Sequence, residues 1–248
     1  MKFLGLIPAR YQSTRFPGKP LVKLGEKPIV QWVYENAAKA LDHVFVATDD
    51  ERIYEGVLAF GGNAVYTSPE HQSGTDRCAE AALQLSKSID FDVVINIQGD
   101  EPFVQQGQIE GLKACFGSPE TEIATLIKPI SDAAEIANVN RPKVVINKNQ
   151  EAMYFSRSAI PFVRNFKPED WLEHQRFFSH IGMYAYRADI LQEITKLPLG
   201  ELEKAESLEQ LRWLENGYRI KTAQTFTESI GIDTPEDLEN AKIFLTKA

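Results

Sequence analysis

The sequence is poor in cysteine: Cys78 and Cys115 are its only two in 248 residues. They stand far apart and in no metal-ligand spacing, which argues against a disulfide framework or a zinc site and makes a reducing cytoplasm the expected compartment. No apolar run reaches the ~18 residues that a membrane helix needs, so no membrane contact is expected. The opening MKFLGLIPARYQ reaches arginine after only a short apolar stretch. It reads as a buried first strand, because a signal peptide needs a longer apolar region and a small-residue cleavage site. The patterns GxxxxGK[ST] and GxGxxG are both missing, which disfavours a kinase, a P-loop NTPase or an NAD enzyme. Also missing are internal repeats, low-complexity tracts and flexible linkers.

Acidic residues are absent from the N-terminus. Residues 1 to 25 contain no Asp or Glu but carry Lys2, Arg10, Arg15, Lys19 and Lys23. The chain as a whole has 27 basic and 35 acidic residues and a net charge of −8. That balance disfavours general binding to nucleic acid, whose backbone would be repelled. A basic, acid-free N-terminus on an acidic protein points instead to a local anion site.

At 43% hydrophobic the chain can bury a substantial core, and its length suits one α/β domain with a lobe better than two independent domains. Short β-rich runs alternate with amphipathic stretches, the pattern of a mainly parallel sheet covered by helices on both faces. Strands are predicted at FLGLI, HVFVAT, NAVYT, DVVINIQ and EIATLI. Helices are predicted from Pro28 to about Ala40, over DDERIYEGVLAF, from about Thr75 to Ser86 and near 105–116. Beyond residue 130 the rhythm loosens. KVVIN and AMYFSRS read as paired strands, 162–176 as an aromatic, charged and loop-rich stretch, HIGMYAYR as a strand and ADILQEITK as a helix. SLEQLRWLENG reads as a helix ended by Gly217, and YRIKTAQTF as a strand. A last helix starts at DTPEDLE, capped by Asp233 or Thr234, with Pro235 in its first turn.

Three features carry chemistry. Arg10, Arg15 and Lys19 sit on a long loop directly after the first strand, among Ser13, Thr14, Pro17 and Gly18. Ligands of open α/β sheets gather at the carboxyl ends of strands, and long loops in compact domains are uncommon unless functional. A solvated basic loop is the plainer alternative. In INIQGDEP a buried strand ends at Gln98, Gly99, Asp100 and Glu101. An aspartate there suits Mg²⁺, which takes one or two carboxylates plus phosphate oxygens, while Gly-Asp-Glu-Pro is equally good turn chemistry. Asp233 can be a helix cap, a ligand, or both.

The blocks IPARYQSTRFPGKPL, VATDDERI, HQSGTDR, NIQGDEP, YFSRSAIP, HIGMYAYR, LEQLRWLENG and GIDTPEDLE occur in order along nearly the whole chain. Together they resemble the CMP-Kdo synthetases, or 3-deoxy-manno-octulosonate cytidylyltransferases. The resemblance implies a Rossmann-like nucleotidyltransferase sheet with a smaller sugar-binding and dimerisation lobe. It further implies a CTP-binding core over about 1–130, the lobe over about 131–225, and a return to the core over 226–248. CMP would pass from CTP to the anomeric hydroxyl of Kdo, releasing pyrophosphate, in the cytoplasm and for lipopolysaccharide biosynthesis. Arg10, Arg15 and Lys19 would hold the triphosphate, and Pro8, Ala9, Ser73, Gly74, Thr75 and Arg77 would surround the nucleotide. Ser73–Asp76 also reads as an ordinary helix N-terminus. Asp100 and Asp233 would hold Mg²⁺. Gln98, Arg157, His180, Tyr184, Glu209 and Gln210 would contact the sugar, with Arg157 facing its carboxylate. His43, His71 and His174 are expected to be structural. A homodimer is implied. The rivals are another CTP-dependent transferase, acting on sialic acid, another ulosonate or the 8-amino form of Kdo, and a silent nucleotide-binding subunit.

Overall fold

The computed structural model describes residues 1–12, 15–227 and 230–246. Ser13 and Thr14 of the first loop lie outside the described residues. The chain divides into two compact units, one formed by Met1–Glu110 with Glu228–Ala248 and the other by Gly111–Thr227.

The first unit begins with β1 (Phe3–Ala9), a 3₁₀ turn at Lys19–Leu21, and a small hairpin of β2 (Lys23–Leu24) and β3 (Lys27–Pro28). It continues through α1 (Ile29–Ala37), β4 (His43–Thr48), α2 (Glu51–Ala59), β5 (Ala64–Tyr66), α3 (Gly74–Leu85) and β6 (Val93–Asn96). α4 (Gln106–Cys115) leads into the sequence of the second unit. Strands β6, β1, β4 and β5 lie side by side and every pair is parallel. They are apolar because strands in such a sheet are covered on both faces. Leu4, Leu6, Ile7, Val46, Val94 and Ile95 are fully buried. α1 fits the same logic, since Ile29, Val30, Val33 and Ala37 share one inward stripe. Pro28 is the N-cap of α1 rather than its first residue, and the helix stops at Ala37, three residues before the sequence suggests.

Register decides where the loops emerge. Leu6 pairs with Phe45 and with Asn96, and Ala9 pairs with Thr48. The carboxyl ends of β1, β4 and β6 therefore lie together, and the segments beginning at Arg10, Asp49 and Ile97 leave from that one edge. The ladder extends slightly past β6, because Ile97 N–H donates to Leu6 C=O at 2.9 Å.

The second unit contains β7 (Ile123–Pro129), α5 (Ala133–Ala137), β8 (Lys143–Ile146) and β9 (Ala152–Ser156). After a 3₁₀ turn at Pro168–Asp170 come α6 (Trp171–His174), β10 (Phe178–Arg187), α7 (Ala188–Ile194), α8 (Glu201–Glu206), α9 (Gln210–Glu215) and β11 (Ile220–Gln224). Here β11 is parallel to β7, whereas β7–β10, β10–β8 and β8–β9 are antiparallel. The loop-rich segment 162–176 carries one short helix, α6, whose Trp171 is buried with Ile130, Ile136 and Phe177. The expected helix around 207–217 is shorter than its sequence pattern, because Ser207 takes φ 51° and separates α8 from α9. Gly217 ends it as expected, at φ 85°.

The chain then returns to the first unit as α10 (Pro235–Leu245). Ile232, Leu238 and Ala241 are buried with Leu24 and Ile29, so the β2–β3 hairpin and α1 form the seat for this helix.

Candidate active site

The loop after β1 is closed by its own backbone. Gly18 N–H donates to Tyr11 C=O at 2.8 Å, and Gly18 sits at φ 71° directly before the 3₁₀ turn that carries Lys19. A Cβ at Gly18 would lie 3.1 Å from the Tyr11 ring, so both the dihedral and the space call for glycine. Tyr11 is held in turn by Arg52 of α2, whose guanidinium carbon lies 3.3 Å from the ring centroid.

The turn after β6 approaches β1 equally closely. A Cβ at Gly99 would come within 2.9 Å of Pro8 C=O. Asp100 follows immediately, and its carbonyl accepts from Ile232 N–H at 2.9 Å. That bond, with the burial of Ile232, sets Asp233 next to Asp100. Thr234 is the N-cap of α10 and forms a capping box with Asp237. The choice left open by the sequence thus falls on Thr234, which leaves the Asp233 carboxylate available for other partners.

Those partners are the cations of the first loop. Lys19 Nζ donates to Asp100 Oδ2 at 2.7 Å and to Asp233 Oδ1 at 3.1 Å. Arg15 Nη2 lies 3.1 Å from Asp233 Oδ2. The Lys19 side chain is 12% exposed, so its charge is held largely out of water between two carboxylates. These residues line a cleft of about 430 Å³ together with Pro8, Ala9, Arg10, Gln98 and Gly99, which is ample for a nucleotide-sized ligand.

The Lys19 ammonium also tests the fit of a metal. Two carboxylates from distant parts of the chain converge on one cationic nitrogen, an all-oxygen set of the kind that Mg²⁺ accepts. Among the described residues no group of three or more His, Cys, Asp and Glu side chains could hold a metal ion. Two carboxylates suit an ion whose remaining ligands are phosphate oxygens and water.

On α3 the cleft wall is made by Gly74 and Arg77. Ser73 serves as N-cap in a capping box with Asp76, and Thr75 is buried. Arg77 is 1% exposed. Its Nη1 donates to Thr67 Oγ1 at 2.6 Å and lies 3.0 Å from Asp49 Oδ1. Burial lowers the pKa of this guanidinium, Asp49 counters that, and nearby Arg10 lowers it further. Gln12 and Pro20 also line the cleft, although the sequence does not single them out. Asp49 and Thr67 were missed for want of a local signal. His71 pairs with Glu80 and His174 stacks on Phe166 at 3.5 Å between centroids.

The positions expected to contact the sugar, apart from Gln98, lie in the second unit. His180 and Tyr184 on β10 have ring centroids 5.3 Å apart, and Tyr184 meets Trp213 of α9 edge-on at 5.1 Å. Gln210 is buried one turn before Trp213, with no hydrogen-bond partner for its Nε2 among the described residues. Glu209 accepts from Arg212 at 3.0 Å. His180 and Thr125 Oγ1 share a hydrogen bond at 3.0 Å, and desolvation of the half-buried ring pushes its pKa down to about 3, which keeps it neutral. Arg157 is engaged elsewhere: Nε donates to Glu206 C=O, Nη1 to Val139 C=O and Nη2 to Ser207 C=O, at 2.7, 3.0 and 3.3 Å.

Comparison with known proteins follows the same lines. A family model described as Cytidylyltransferase matches residues 4–242. A 3-deoxy-manno-octulosonate cytidylyltransferase of Bacteroides thetaiotaomicron is 60% identical over 99% of this chain and 98% of its own. One from Porphyromonas gingivalis is 48% identical over 98% of this chain and 96% of its own. The solved structure of a CMP:2-keto-3-deoxy-manno-octonic acid synthetase complexed with CTP superposes with a TM-score of 0.92 at 43% identity, covering 100% of this chain and 99% of that one. A cytidylyltransferase from Leptospira borgpetersenii, at 18% identity and a TM-score of 0.62, shares the fold. With a family match over nearly its whole length and relatives this similar, the chain belongs to the cytidylyltransferase family, alongside the 3-deoxy-manno-octulosonate cytidylyltransferases.

Proposed function

We propose that the protein transfers CMP from CTP to the anomeric hydroxyl of Kdo, giving CMP-Kdo and pyrophosphate for lipopolysaccharide biosynthesis. The observation that carries the reading is the convergence of Lys19, Asp100 and Asp233 at one wall of the cleft. Family membership supplies the nucleotide, and relatives of 60% identity that bear the name of this activity supply the sugar.

Arg10, Arg15 and Lys19 bind the triphosphate, and Lys19 and Arg15 offset charge on the departing pyrophosphate. Pro8, Ala9, Gly74 and Arg77 bound the nucleoside, with Ser73 and Thr75 holding the start of α3 behind them. Gln98, Arg157, His180, Tyr184, Glu209 and Gln210 receive the sugar. Arg157 Nη1 and Nη2 each keep a second N–H beyond their carbonyl partners, and these would take the sugar carboxylate. Positioning and charge neutralisation by these groups accomplish most of what phosphoryl-type transfers need. Asp100 and Asp233 would hold Mg²⁺, which supplies neutralisation of the phosphate oxygens and a lower pKa for the sugar hydroxyl. Lys19, held by the two carboxylates in this structure, would then be free to take phosphate. The protein is expected to work in the cytoplasm as a homodimer. No helix among the described residues is long and apolar enough to cross a membrane.

The test is pyrophosphate release with CTP, Mg²⁺ and Kdo, each omitted in turn. Release that needs all three supports the reaction. Release only with sialic acid or the 8-amino sugar would move the substrate and keep the chemistry. Silence with every acidic sugar would favour a nucleotide-binding subunit.

A further inference from the structure

We propose that Asp49 is a positioning residue for the nucleotide base. With Thr67 it holds the Arg77 guanidinium so that Nη2 meets a neutral acceptor, a carbonyl oxygen or ring nitrogen of the cytosine. The proposal rests on the reading that this cleft takes CTP, and gives a role to two residues for which the sequence motifs suggested none.

The geometry begins at Arg77. It stands one turn into α3, is 1% exposed, and yet contributes to the cleft wall. Its Nη1 donates to Thr67 Oγ1 at 2.6 Å and lies 3.0 Å from Asp49 Oδ1, an ion pair in which that buried carboxylate oxygen takes no hydrogen bond among the described residues. Its Nη2 is buried and has no hydrogen-bond partner among the described residues. A buried donor on a charged group is costly to leave unmade. Arg77 lines the cleft, so a ligand atom there is the partner we assign to Nη2.

The kind of atom follows from charge. Asp49 and Arg77 form a pair with no net charge, and the Asp49 side chain is itself only 22% exposed. A phosphate brought to Nη2 would carry its charge towards the Asp49 carboxylate with little water to screen the repulsion. A base carbonyl or ring nitrogen takes the same hydrogen bond without that conflict. The carboxylates beside Lys19 differ, being 29% and 45% exposed and of the type a metal ion takes over. The neighbours of Arg77 agree with a base. Gly74 and Pro8 pack so closely that a Cβ on Gly74 would lie 3.2 Å from Pro8 Cγ, which makes a flat, uncharged stretch of wall.

Asp49 acts through Arg77 alone. Its chain neighbour Asp50 has the separate task of capping α2, accepting from Arg52 N–H at 3.0 Å. Replacing Asp49 therefore need not disturb that helix.

The experiment is calorimetric titration of the full chain with CTP and, separately, with inorganic pyrophosphate, in Mg²⁺ and without sugar. Asp49→Asn and Thr67→Val should each weaken CTP by about tenfold, the size of a misplaced charge-assisted hydrogen bond. Pyrophosphate should bind within about twofold of the unmodified protein, which also certifies the fold of each variant. Asp49→Glu, which keeps the charge, should recover part of the CTP affinity. Equal losses for both ligands would assign Arg77 to the phosphates and overturn the proposal, as would no change for either. If the unmodified protein bound pyrophosphate but no CTP, the cytidylyltransferase reading itself would fall, a result distinct from either outcome in the variants.

Discussion

Lys19 and Asp100, 81 positions apart, meet at 2.7 Å. The contact joins the two strand ends on which the cleft is built, and Asp233 closes it from the far end of the chain at 3.1 Å. Removing one carboxylate removes half of the oxygen set that would hold a metal ion. Asp100→Asn and Asp233→Asn should each lower turnover by roughly two or more orders of magnitude, the usual scale for a lost element of preorganised charge stabilisation. Steady-state pyrophosphate release over a Mg²⁺ series checks this. Near-normal turnover of Asp233→Asn at low Mg²⁺ would remove that residue from the ligand set.

Lys19 occupies the place between the carboxylates that a divalent ion would need. Lys19→Met should therefore bind Mn²⁺ more tightly than the unmodified protein when nucleotide is absent, while its turnover with CTP falls. The opposite signs separate competition for the carboxylates from general damage. Paramagnetic titration of the free protein reads the first effect and pyrophosphate release the second. Unchanged Mn²⁺ affinity would mean that the ammonium does not compete.

Gly99 has no room for a side chain, because the nearest atom to a Cβ would be backbone, Pro8 C=O at 2.9 Å. Backbone in two strand ends yields less readily than a flexible side chain. Gly99→Ala should cost about 1–3 kcal/mol in stability, as overpacking does, and raise the KM for CTP by shifting Asp100. Urea denaturation together with CTP kinetics tests both. A loss of stability with an unchanged KM would show that Asp100 keeps its place.

What the sequence made legible was local. β1 and β6 are apolar runs with abrupt ends, so Arg10 and Asp100 announce themselves at strand termini. The capping pattern before α10 was visible too, yet it suited Asp233 and Thr234 equally until the Asp237 N–H, donating to Thr234 Oγ1, showed which one caps. The β2–β3 hairpin went unread because two-residue strands have no period to detect. α8 was missed because the start of its run, Leu199 and Gly200, resembles loop, and Ser207 in the left-handed region splits what reads as one helix from the next. Asp49 lies in the VATDDERI block, yet neither it nor Thr67 showed a role, since what recommends them is contact with a residue on another element. The arginine that those two hold was found only through its motif.

His180 gives the protein a pH signature in stability. Burial depresses its pKa to about 3, from 6.5 for the unperturbed group. Between those values the unfolded chain binds a proton that the folded protein refuses, so stability is full above about pH 6.5 and falls as the pH drops. The slope is about 1.4 kcal/mol per pH unit, so about 2 kcal/mol is lost between pH 6.5 and 5. Carboxylates add their own dependence, which a comparison removes. His180→Gln keeps a polar side chain beside Thr125 without the titration, so its stability should fall by about 2 kcal/mol less than that of the unmodified protein over this interval. Urea denaturation at pH 7 and pH 5 supplies the four numbers. Parallel losses in the two proteins would mean that His180 takes up its proton in the folded state, which would require water or a ligand atom to reach the ring.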